Sequence, residues 1–174
     1  MLTDKRIAAI LRVPLLNVQS HWPAILRALA DLGMDDRAGV CLAVATIGTE
    51  VPMFAPVQEK ASGAAYEGRK SLGNTQPGDG PRYKGRGFIQ LTGRANYTHY
   101  GAKLGVDLVG QPELACDAYI GAKVLALYFK ERKVIDAARA DDWTKARKLV
   151  NGGTNGLERF LDLVSALLRE WDLG

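Results

Sequence analysis

The chain is poor in the residue types that most often build metal centres and nucleophilic sites. It contains only two cysteines and two histidines. Cys41 and Cys116 have no CxxC or Cys/His spacing, so we expect small buried side chains rather than metal ligands. His21 and His99 are too isolated to complete a triad or a metal centre, and no serine lies in an elbow motif. We therefore expect neither a serine hydrolase nor a metal-dependent one, and no metal or cofactor.

The sequence also lacks a long apolar run. No stretch approaches the roughly 20 apolar residues that cross a bilayer. The opening residues do not combine a basic head, an apolar centre and a small-residue cleavage site, as a signal peptide does. We expect a protein that is made in the cytoplasm without a signal peptide and has no stable membrane insertion, so that any export depends on another route.

Size and composition fit an ordinary globular domain. Hydrophobic residues make up 47% and charged residues 24% of 174 positions, unlike disordered chains. A chain of this length buries roughly two-thirds of its unfolded surface, so we expect one domain over residues 1–174, monomeric by default. The net charge of +4 favours anionic partners. The basic residues are nevertheless dispersed and not gathered on one aromatic-studded strip, which argues against nucleic acid.

Hydrophobic residues recur at helical spacing over most of the chain. The predicted helices cover residues 3–12, about 20–33, 35–47, 95–104, 117–131, about 134–150 and 157–173. The third of these is apolar on nearly every side from Val40 to Ile47, which is typical of a helix buried inside a core. The sequence predicts a mainly α fold in which six to eight helices are built around this buried one.

Between about Thr49 and Tyr83 the helical periodicity fails. The stretch holds four prolines and five glycines, at Pro52, Pro56, Pro77, Pro81, Gly63, Gly68, Gly73, Gly78 and Gly80. Loops of this length inside a compact domain are usually functional or disordered. Because apolar residues such as Phe54 and Leu72 provide anchors, we expect an ordered, functional region with one helical turn or a small hairpin.

Acidic residues in and beside this region are candidates for cleaving a glycosidic bond. That reaction needs one protonated carboxyl group to donate to the leaving oxygen, and usually a second, ionised one to activate water. Glu50 follows the most apolar helix, where desolvation and the negative end of the helix dipole would favour its protonated form. Glu59 would face it if the segment between them folds back, and Glu67 and Asp79 are further candidates. Spacing alone is weak evidence for any of these pairs.

The run from Tyr83 to Tyr97 reads YKGRGFIQLTGRANY. Its glycines allow the backbone to approach a ligand closely. Ile89 and Leu91 alternate with Gln90 and Thr92, as in a half-buried strand, so we expect the polar pair to share one face.

Several side chains of this run suit a sugar ligand. The amides of Gln90 and Asn96 match N-acetyl and hydroxyl groups, and Thr92 is suited to hold a water molecule beside the scissile bond. Tyr83 and Tyr97 offer flat surfaces for sugar rings, although a structural role in the core is open for each.

This run resembles the signature of the family 19 glycoside hydrolases, the chitinase group that includes the peptidoglycan-cutting endolysins of phages and prophages. Short flanking matches lie at residues 72–74, 78–80, 150–153 and 155–156. Their order is similar to that of the endolysin branch, and the resemblance covers about residues 40–170. It implies a lysozyme-like fold and a single glycoside hydrolase catalytic domain.

The resemblance also implies roles for individual residues. Glu50 matches the family's catalytic acid. Glu59 matches the second glutamate of the endolysin branch and is the one we favour, whereas Glu67 lies nearer to the position used by plant chitinases. The positions that match substrate- or water-positioning residues are Gln90, Thr92, Asn96, Asn151 and Arg159.

Two enzymatic functions and one non-enzymatic function fit these features. We expect an endolysin that hydrolyses the β-1,4 bond between the N-acetylated aminosugars of peptidoglycan by acid–base catalysis and acts on the cell wall after release. A chitinase is the alternative, because both polymers present N-acetylglucosamine. A non-catalytic wall-binding module is the third, but such modules seldom need a buried acid beside a long ordered loop.

Overall fold

The computed structural model describes residues 2–173 and has a mainly α fold. Within that range the nine α-helices are α1 (Asp4–Leu11), α2 (Leu15–Ala30), α3 (Arg37–Glu50), α4 (Asp79–Arg82), α5 (Arg94–Leu104), α6 (Ala118–Glu131), α7 (Val134–Arg139), α8 (Trp143–Asn151) and α9 (Leu157–Asp172). Two short strands, β1 (Val57–Gln58) and β2 (Arg86–Gly87), pair antiparallel. The mainly α prediction is confirmed, with one helix more than expected. None of the helices between residues 2 and 173 is long and apolar enough to cross a bilayer.

Helix α3 runs through the centre of the fold, as the sequence predicts. Every residue from Gly39 to Ile47 is buried, and the helix packs against α2, α7 and α9. Asp36 caps its N-terminus, where the side chain accepts a hydrogen bond from the N–H of Gly39 at 2.9 Å. The helix continues one turn beyond the predicted end, so that Glu50 is its last residue.

Helix α2 begins earlier than the sequence analysis places it. It starts at Leu15 instead of near Ser20, because Val18 and Trp22 extend the buried apolar stripe towards the N-terminus. Pro23 consequently lies inside the helix and not in its first turn.

The helix predicted over residues 134–150 is in fact two helices, α7 and α8. Asp141 between them has a φ of 55°, which a right-handed helix does not accommodate. Asp142 then caps α8 by accepting a hydrogen bond from the N–H of Lys145 at 3.0 Å. Both helices remain amphipathic, so the apolar pattern alone did not reveal the break between them.

The long stretch between α3 and α5 is ordered, as predicted. It contains the single helical turn α4 and the strand β1, which pairs with β2. Asn74 is fully buried within it. The Asn74 side chain donates to the carbonyl of Tyr66 at 2.9 Å and accepts from the N–H of Arg94 at 2.8 Å. These bonds tie the stretch to the start of α5.

Asp79 provides the second anchor of this region. Its side chain is 1% exposed, and it accepts hydrogen bonds from the N–H groups of Thr75 and Gln76, each at 3.0 Å. The guanidinium of Arg94 lies against the same carboxylate, with Nε 2.9 Å from Oδ2. The Arg94 hydrogen bond is the largest cause that holds the pKa of Asp79 below its ordinary value of 3.8.

We expect Asp79→Ala to lower the free energy of unfolding by about 3 kcal/mol at neutral pH, because it leaves the Arg94 charge without its partner. The pKa of Asp79 is lower in the folded chain than in the unfolded one. The pair therefore stabilises the fold above about pH 4, and this contribution is lost as the pH falls through the folded pKa. Denaturant unfolding at about pH 7 and about pH 3 should show a smaller difference between the two proteins at the lower pH.

An exposed ion pair provides the control for this prediction. Asp31→Ala removes the partner of Arg27 in a pair whose side chains are 46% and 80% exposed, and we expect it to cost less than about 1 kcal/mol. The anchoring role would be contradicted if Asp79→Ala lowered the free energy of unfolding as little as Asp31→Ala does, or if its effect did not change with pH.

Candidate active site

A cleft of about 590 Å³ opens beside the end of α3, between the helices α5, α6 and α8 and the ordered stretch before α5. Five of the predicted site residues line it, namely Glu50, Gln90, Thr92, Asn96 and Asn151. The other lining residues are Tyr66, Ser71, Leu72, Ile89, Leu91, Ala95, Tyr128, Arg132, Leu149, Val150 and Gly152. The structure thus brings together side chains that are far apart in the sequence.

Glu50 lines the cleft, and its side chain is 19% exposed. One carboxylate oxygen accepts a hydrogen bond from the guanidinium of Arg147, whose side chain is 4% exposed. Arg147 is itself fixed, because its Nε and Nη2 donate to the carbonyl of Asn155 at 3.1 and 2.7 Å. Glu50 is therefore held in one orientation by a buried arginine.

Arg147 is not among the site residues predicted from the sequence. A signal for it exists, since Arg147 occupies a position on the apolar face of α8 that is otherwise formed by Trp143, Ala146 and Val150. A charged residue on a buried face is normally paired. The sequence-based expectation for Glu50 considered only burial and the helix dipole, and it did not include the contact with this guanidinium.

The chain reverses direction directly after Glu50. The residues Pro52–Phe54 form a 3₁₀ turn, in which Met53 and Phe54 have φ values of 62° and 53°, a region that bulky residues seldom adopt. Asn17 donates to the carbonyl of Met53 at 2.7 Å, and Phe54 is buried. These contacts hold the turn that lies between Glu50 and Glu59.

Glu59 follows strand β1 and is held by two donors. Its Oε1 accepts from the N–H of Gly85 at 2.8 Å, and its Oε2 accepts from the hydroxyl of Tyr66 at 3.1 Å. Burial, followed by the hydrogen bond to Glu59, raises the pKa of Tyr66, so this tyrosine stays protonated and remains a donor. Tyr66 lines the cleft and Glu59 does not, so Glu59 is connected to the cleft through the hydroxyl of Tyr66.

Gly85 is the point at which three candidate groups converge. A Cβ atom at this position would lie 2.9 Å from Oε1 of Gln90, 3.4 Å from Cδ of Glu59 and 3.4 Å from Oγ1 of Thr92. The absence of a side chain at Gly85 therefore allows these three polar groups to surround one point. The prediction was that a glycine of this run lets the backbone approach a ligand closely. In the structure, the groups that lie close to Gly85 are side chains of the protein.

The segment that carries Gln90 and Thr92 is a tight turn and not the predicted half-buried strand. Arg86 and Leu91 exchange backbone hydrogen bonds of 3.2 and 2.8 Å, and Gln90 between them has a φ of 53°. The Gln90 amide stabilises this conformation by donating to the carbonyls of Val57 and Gly87 at 2.9 and 3.1 Å. A strained residue that the surrounding structure holds in place is typical of functional sites.

Thr92 and Asn96 are linked in the same wall. The hydroxyl of Thr92 donates to the carbonyl of Gln90 at 2.9 Å. The amide of Asn96 donates to the carbonyl of Thr92 at 2.7 Å. The positions of Gln90, Thr92 and Asn96 are therefore interdependent.

Asn151 ends α8 and shapes the loop that follows. Its amide nitrogen donates to the carbonyl of Asn155 at 2.7 Å, and its oxygen accepts from the N–H of Gly153 at 3.0 Å. The same Asn155 carbonyl accepts from Arg147. The cleft wall at Asn151 is thus connected to the partner of Glu50.

Two predicted positioning residues lie outside the cleft. Tyr83 is 1% exposed, and its ring packs on that of Tyr97 with 5.3 Å between the ring centroids. Tyr83 therefore belongs to the core and is not a platform for a sugar ring. Arg159 donates to the carbonyl of Gly48 at 3.1 Å and lines a separate cavity beside Arg12. The helix-borne arginine that contacts the acid is Arg147 instead, because α8 and not α9 faces the carboxylate.

Glu67, the alternative second carboxylate, bonds to the backbone of the ordered stretch. Its two oxygens accept from the N–H groups of Gly78 and Gly80, each at 2.7 Å. Of the two cysteines, Cys41 is buried as expected and Cys116 is half-buried. Among residues 2–173, no group of three or more His, Cys, Asp and Glu side chains has an arrangement suited to a metal ion.

The sequence of this chain is similar to those of known glycosidases. The sequence profile of glycosyl hydrolase family 19, described as chitinase class I, matches residues 31–141. A family 19 domain-containing protein of Haemophilus influenzae is 34% identical over 104 residues, which are 59% of this chain and 50% of that protein. Chitinase 8 of Oryza sativa subsp. japonica is 52% identical over 50 residues, or 28% of this chain and 19% of that protein. The chain spans half or less of the length of these curated relatives.

Solved structures of chitinases share the fold. A bacterial family 19 chitinase superposes with a TM-score of 0.73 at 18% identity, covering 95% of this chain and 94% of that one. Chitinase C from Streptomyces griseus gives a TM-score of 0.72 at 16% identity, covering 95% of this chain and 76% of that one. At these identities the likeness concerns the fold, and it confirms the predicted lysozyme-like architecture.

Proposed function

Because the chain belongs to glycosyl hydrolase family 19, we propose that it hydrolyses β-1,4 bonds between the N-acetylated aminosugars of peptidoglycan, as an endolysin. The observation that carries the proposal is the cleft itself. Glu50 lines it, and Glu59 lies behind Tyr66 in its wall, next to Gln90 and Thr92 around Gly85. This arrangement offers the two carboxylates that the reaction needs.

In the proposed reaction, Glu50 donates a proton to the glycosidic oxygen as the bond to the anomeric carbon breaks. A water molecule held near Glu59 and Thr92 attacks the anomeric carbon, and its proton passes to Glu59. The anomeric configuration inverts if the two carboxyl groups are about 6.5 to 9.5 Å apart.

The choice of peptidoglycan depends on the sequence motifs similar to the endolysin branch. We also propose that the chain acts as a monomer on the cell wall after it leaves the cytoplasm. No metal or cofactor takes part in the proposed reaction, since the two carboxylates supply both proton transfers.

Chitin is the second candidate substrate. The match to rice chitinase 8, at 52% identity over 50 residues, favours it. The two polymers share N-acetylglucosamine, so the side chains that would bind an N-acetyl group serve either one.

A paired assay tests the proposal. Wild-type protein is added to Gram-negative cells stripped of their outer membrane and, separately, to colloidal chitin. Loss of turbidity with new reducing ends in the cell walls is the expected result. Reduction of those ends with labelled borohydride identifies which sugar carries the new reducing end. Release of sugar from chitin without lysis would make the protein a chitinase, and no cleavage of either polymer would favour a binding module.

A further inference from the structure

Arg132 is the one cation among the cleft-lining residues in the described part of the chain. The only other charged lining residue there is Glu50, whose carboxylate pairs with Arg147 behind it. None of the ion pairs found between residues 2 and 173 includes Arg132. Arg132 therefore presents to the cleft a guanidinium that is in no ion pair with a carboxylate of the described residues.

The Arg132 guanidinium is held on a rigid support. It lies over the ring of Tyr128, with 4.4 Å between Cζ and the ring centroid. The Tyr128 hydroxyl donates to the carbonyl of Val150 at 2.9 Å, which fixes the ring. One nitrogen of the guanidinium lies 3.4 Å from the side-chain oxygen of Asn96. Stacking occupies the face of the guanidinium and leaves its edge, where the N–H donors point, to polar partners.

Arg132 lines the same cleft as the acid Glu50. Burial raises the pKa of Tyr128, while the charge of Arg132 lowers it and the charge of Glu50 raises it further. Tyr128, which lines the cleft with both residues, is thus within electrostatic range of the cation and of the acid.

The two candidate polymers differ in charge. Chitin consists of uncharged N-acetylglucosamine. In peptidoglycan every second sugar carries a lactyl ether whose carboxyl group is either free or joined to a peptide that bears its own carboxylates. An arginine edge binds a carboxylate through two parallel hydrogen bonds, but it gains far less from a neutral hydroxyl group.

We propose that Arg132 binds a carboxylate of the substrate in the cleft that Glu50 also lines, and thereby selects peptidoglycan strands over chitin. This inference rests on the proposed glycosidase function. The carboxylate belongs either to the lactyl group or to the attached peptide, and both would be bound by the same guanidinium edge.

The test compares wild type with Arg132→Gln on three soluble substrates: peptide-bearing glycan fragments, fragments from which an amidase has removed the peptides, and a chitin oligomer. We expect Arg132→Gln to raise KM about tenfold on an anionic fragment, as for a charge-assisted hydrogen bond at a partly exposed site. On the chitin oligomer we expect KM to change less than about twofold, and kcat should change little on all three. A rise in KM that is confined to peptide-bearing fragments assigns the bound carboxylate to the peptide. A rise in KM on fragments without peptides assigns it to the lactyl group.

Lys130→Gln is the matched control, because it removes the same charge from α6 at an exposed position that does not line the cleft. Arg132→Lys should restore part of the affinity, since it keeps the charge and loses the fork geometry. Added salt should raise KM of the wild type on anionic fragments and leave that of Arg132→Gln nearly unchanged.

The selective role of Arg132 would be overturned if Arg132→Gln raised KM equally on the chitin oligomer, or did not raise KM on the anionic fragments. If the wild type cleaves none of the substrates, the proposed function fails, and calorimetric binding of the uncut fragments still decides the inference. Anionic fragments should then bind Arg132→Gln about tenfold more weakly than the wild type. Equal binding would refute the inference.

Discussion

Glu50→Gln should reduce glycan hydrolysis by about a thousandfold while the protein remains folded and still binds its substrate. A positioned general acid contributes on the order of 10² to 10⁴ in rate, and glutamine cannot supply the proton. The measurement is release of reducing ends at saturating substrate, together with calorimetric binding of an uncut fragment. Unchanged affinity with lost kcat is the signature of a group that acts in the transition state.

Glutamine is the appropriate replacement because of Arg147. That side chain is 4% exposed and donates to Glu50, and an alanine would leave its charge without an acceptor. The amide oxygen of glutamine can still accept the hydrogen bond. Thermal unfolding should therefore distinguish the two substitutions, with Glu50→Ala clearly less stable than Glu50→Gln.

Glu158→Gln is the control for a nonspecific effect of removing one carboxylate. Glu158 is exposed in the first turn of α9 and does not line the cleft. Its replacement should leave the rate within about twofold of the wild type. If Glu50→Gln kept more than about a tenth of the activity, Glu50 would not be the general acid.

The position of Glu50 was predictable because it depends on local pattern. A helix that is apolar on all sides must be buried, so the residue that ends it lies where the core meets the surface. The polar run around Gln90 was also found, and the structure places it in the cleft. What the alternation of Ile89 to Thr92 could not reveal is the pair of hydrogen bonds between Arg86 and Leu91, which makes the segment a turn.

The missed residues are those whose partners are distant in the sequence. Arg147 contacts Glu50 across 97 positions, and no periodicity links the two. The misassignment of Tyr83 has a related cause, since an aromatic residue in a ligand-binding motif can face the ligand or the core. The tilted packing of Tyr83 on Tyr97 depends on how two separate segments meet.

The two glutamates that compete for the second catalytic role differ in their contacts. Glu59 accepts hydrogen bonds from Tyr66 and Gly85 within the cleft wall. Glu67 accepts from two backbone N–H groups of the ordered stretch. The first arrangement joins a carboxylate to the cleft-lining Tyr66, and the second joins a carboxylate to a loop.

Glu59→Gln should therefore lower kcat by about a hundredfold or more with little change in the midpoint of thermal unfolding. Glu67→Gln should do the reverse, because the glutamine NH₂ faces an N–H group that needs an acceptor. We expect it to cost about 1 kcal/mol of stability and to leave most of the activity. The opposite pattern, with kcat lost only in Glu67→Gln and no change in stability, would transfer the role to Glu67.

The role of Glu59 as a base can also be tested without a substitution, from the anomeric configuration of the first product that the wild type forms. Direct attack by a water molecule that Glu59 activates inverts the β bond, so proton NMR of fresh product should show the α anomer before mutarotation. If the β anomer formed first, a covalent or substrate-assisted intermediate would be required. Glu59 would then have to act at a different step, although its hydrogen bonds with Tyr66 and Gly85 would still orient it in the site.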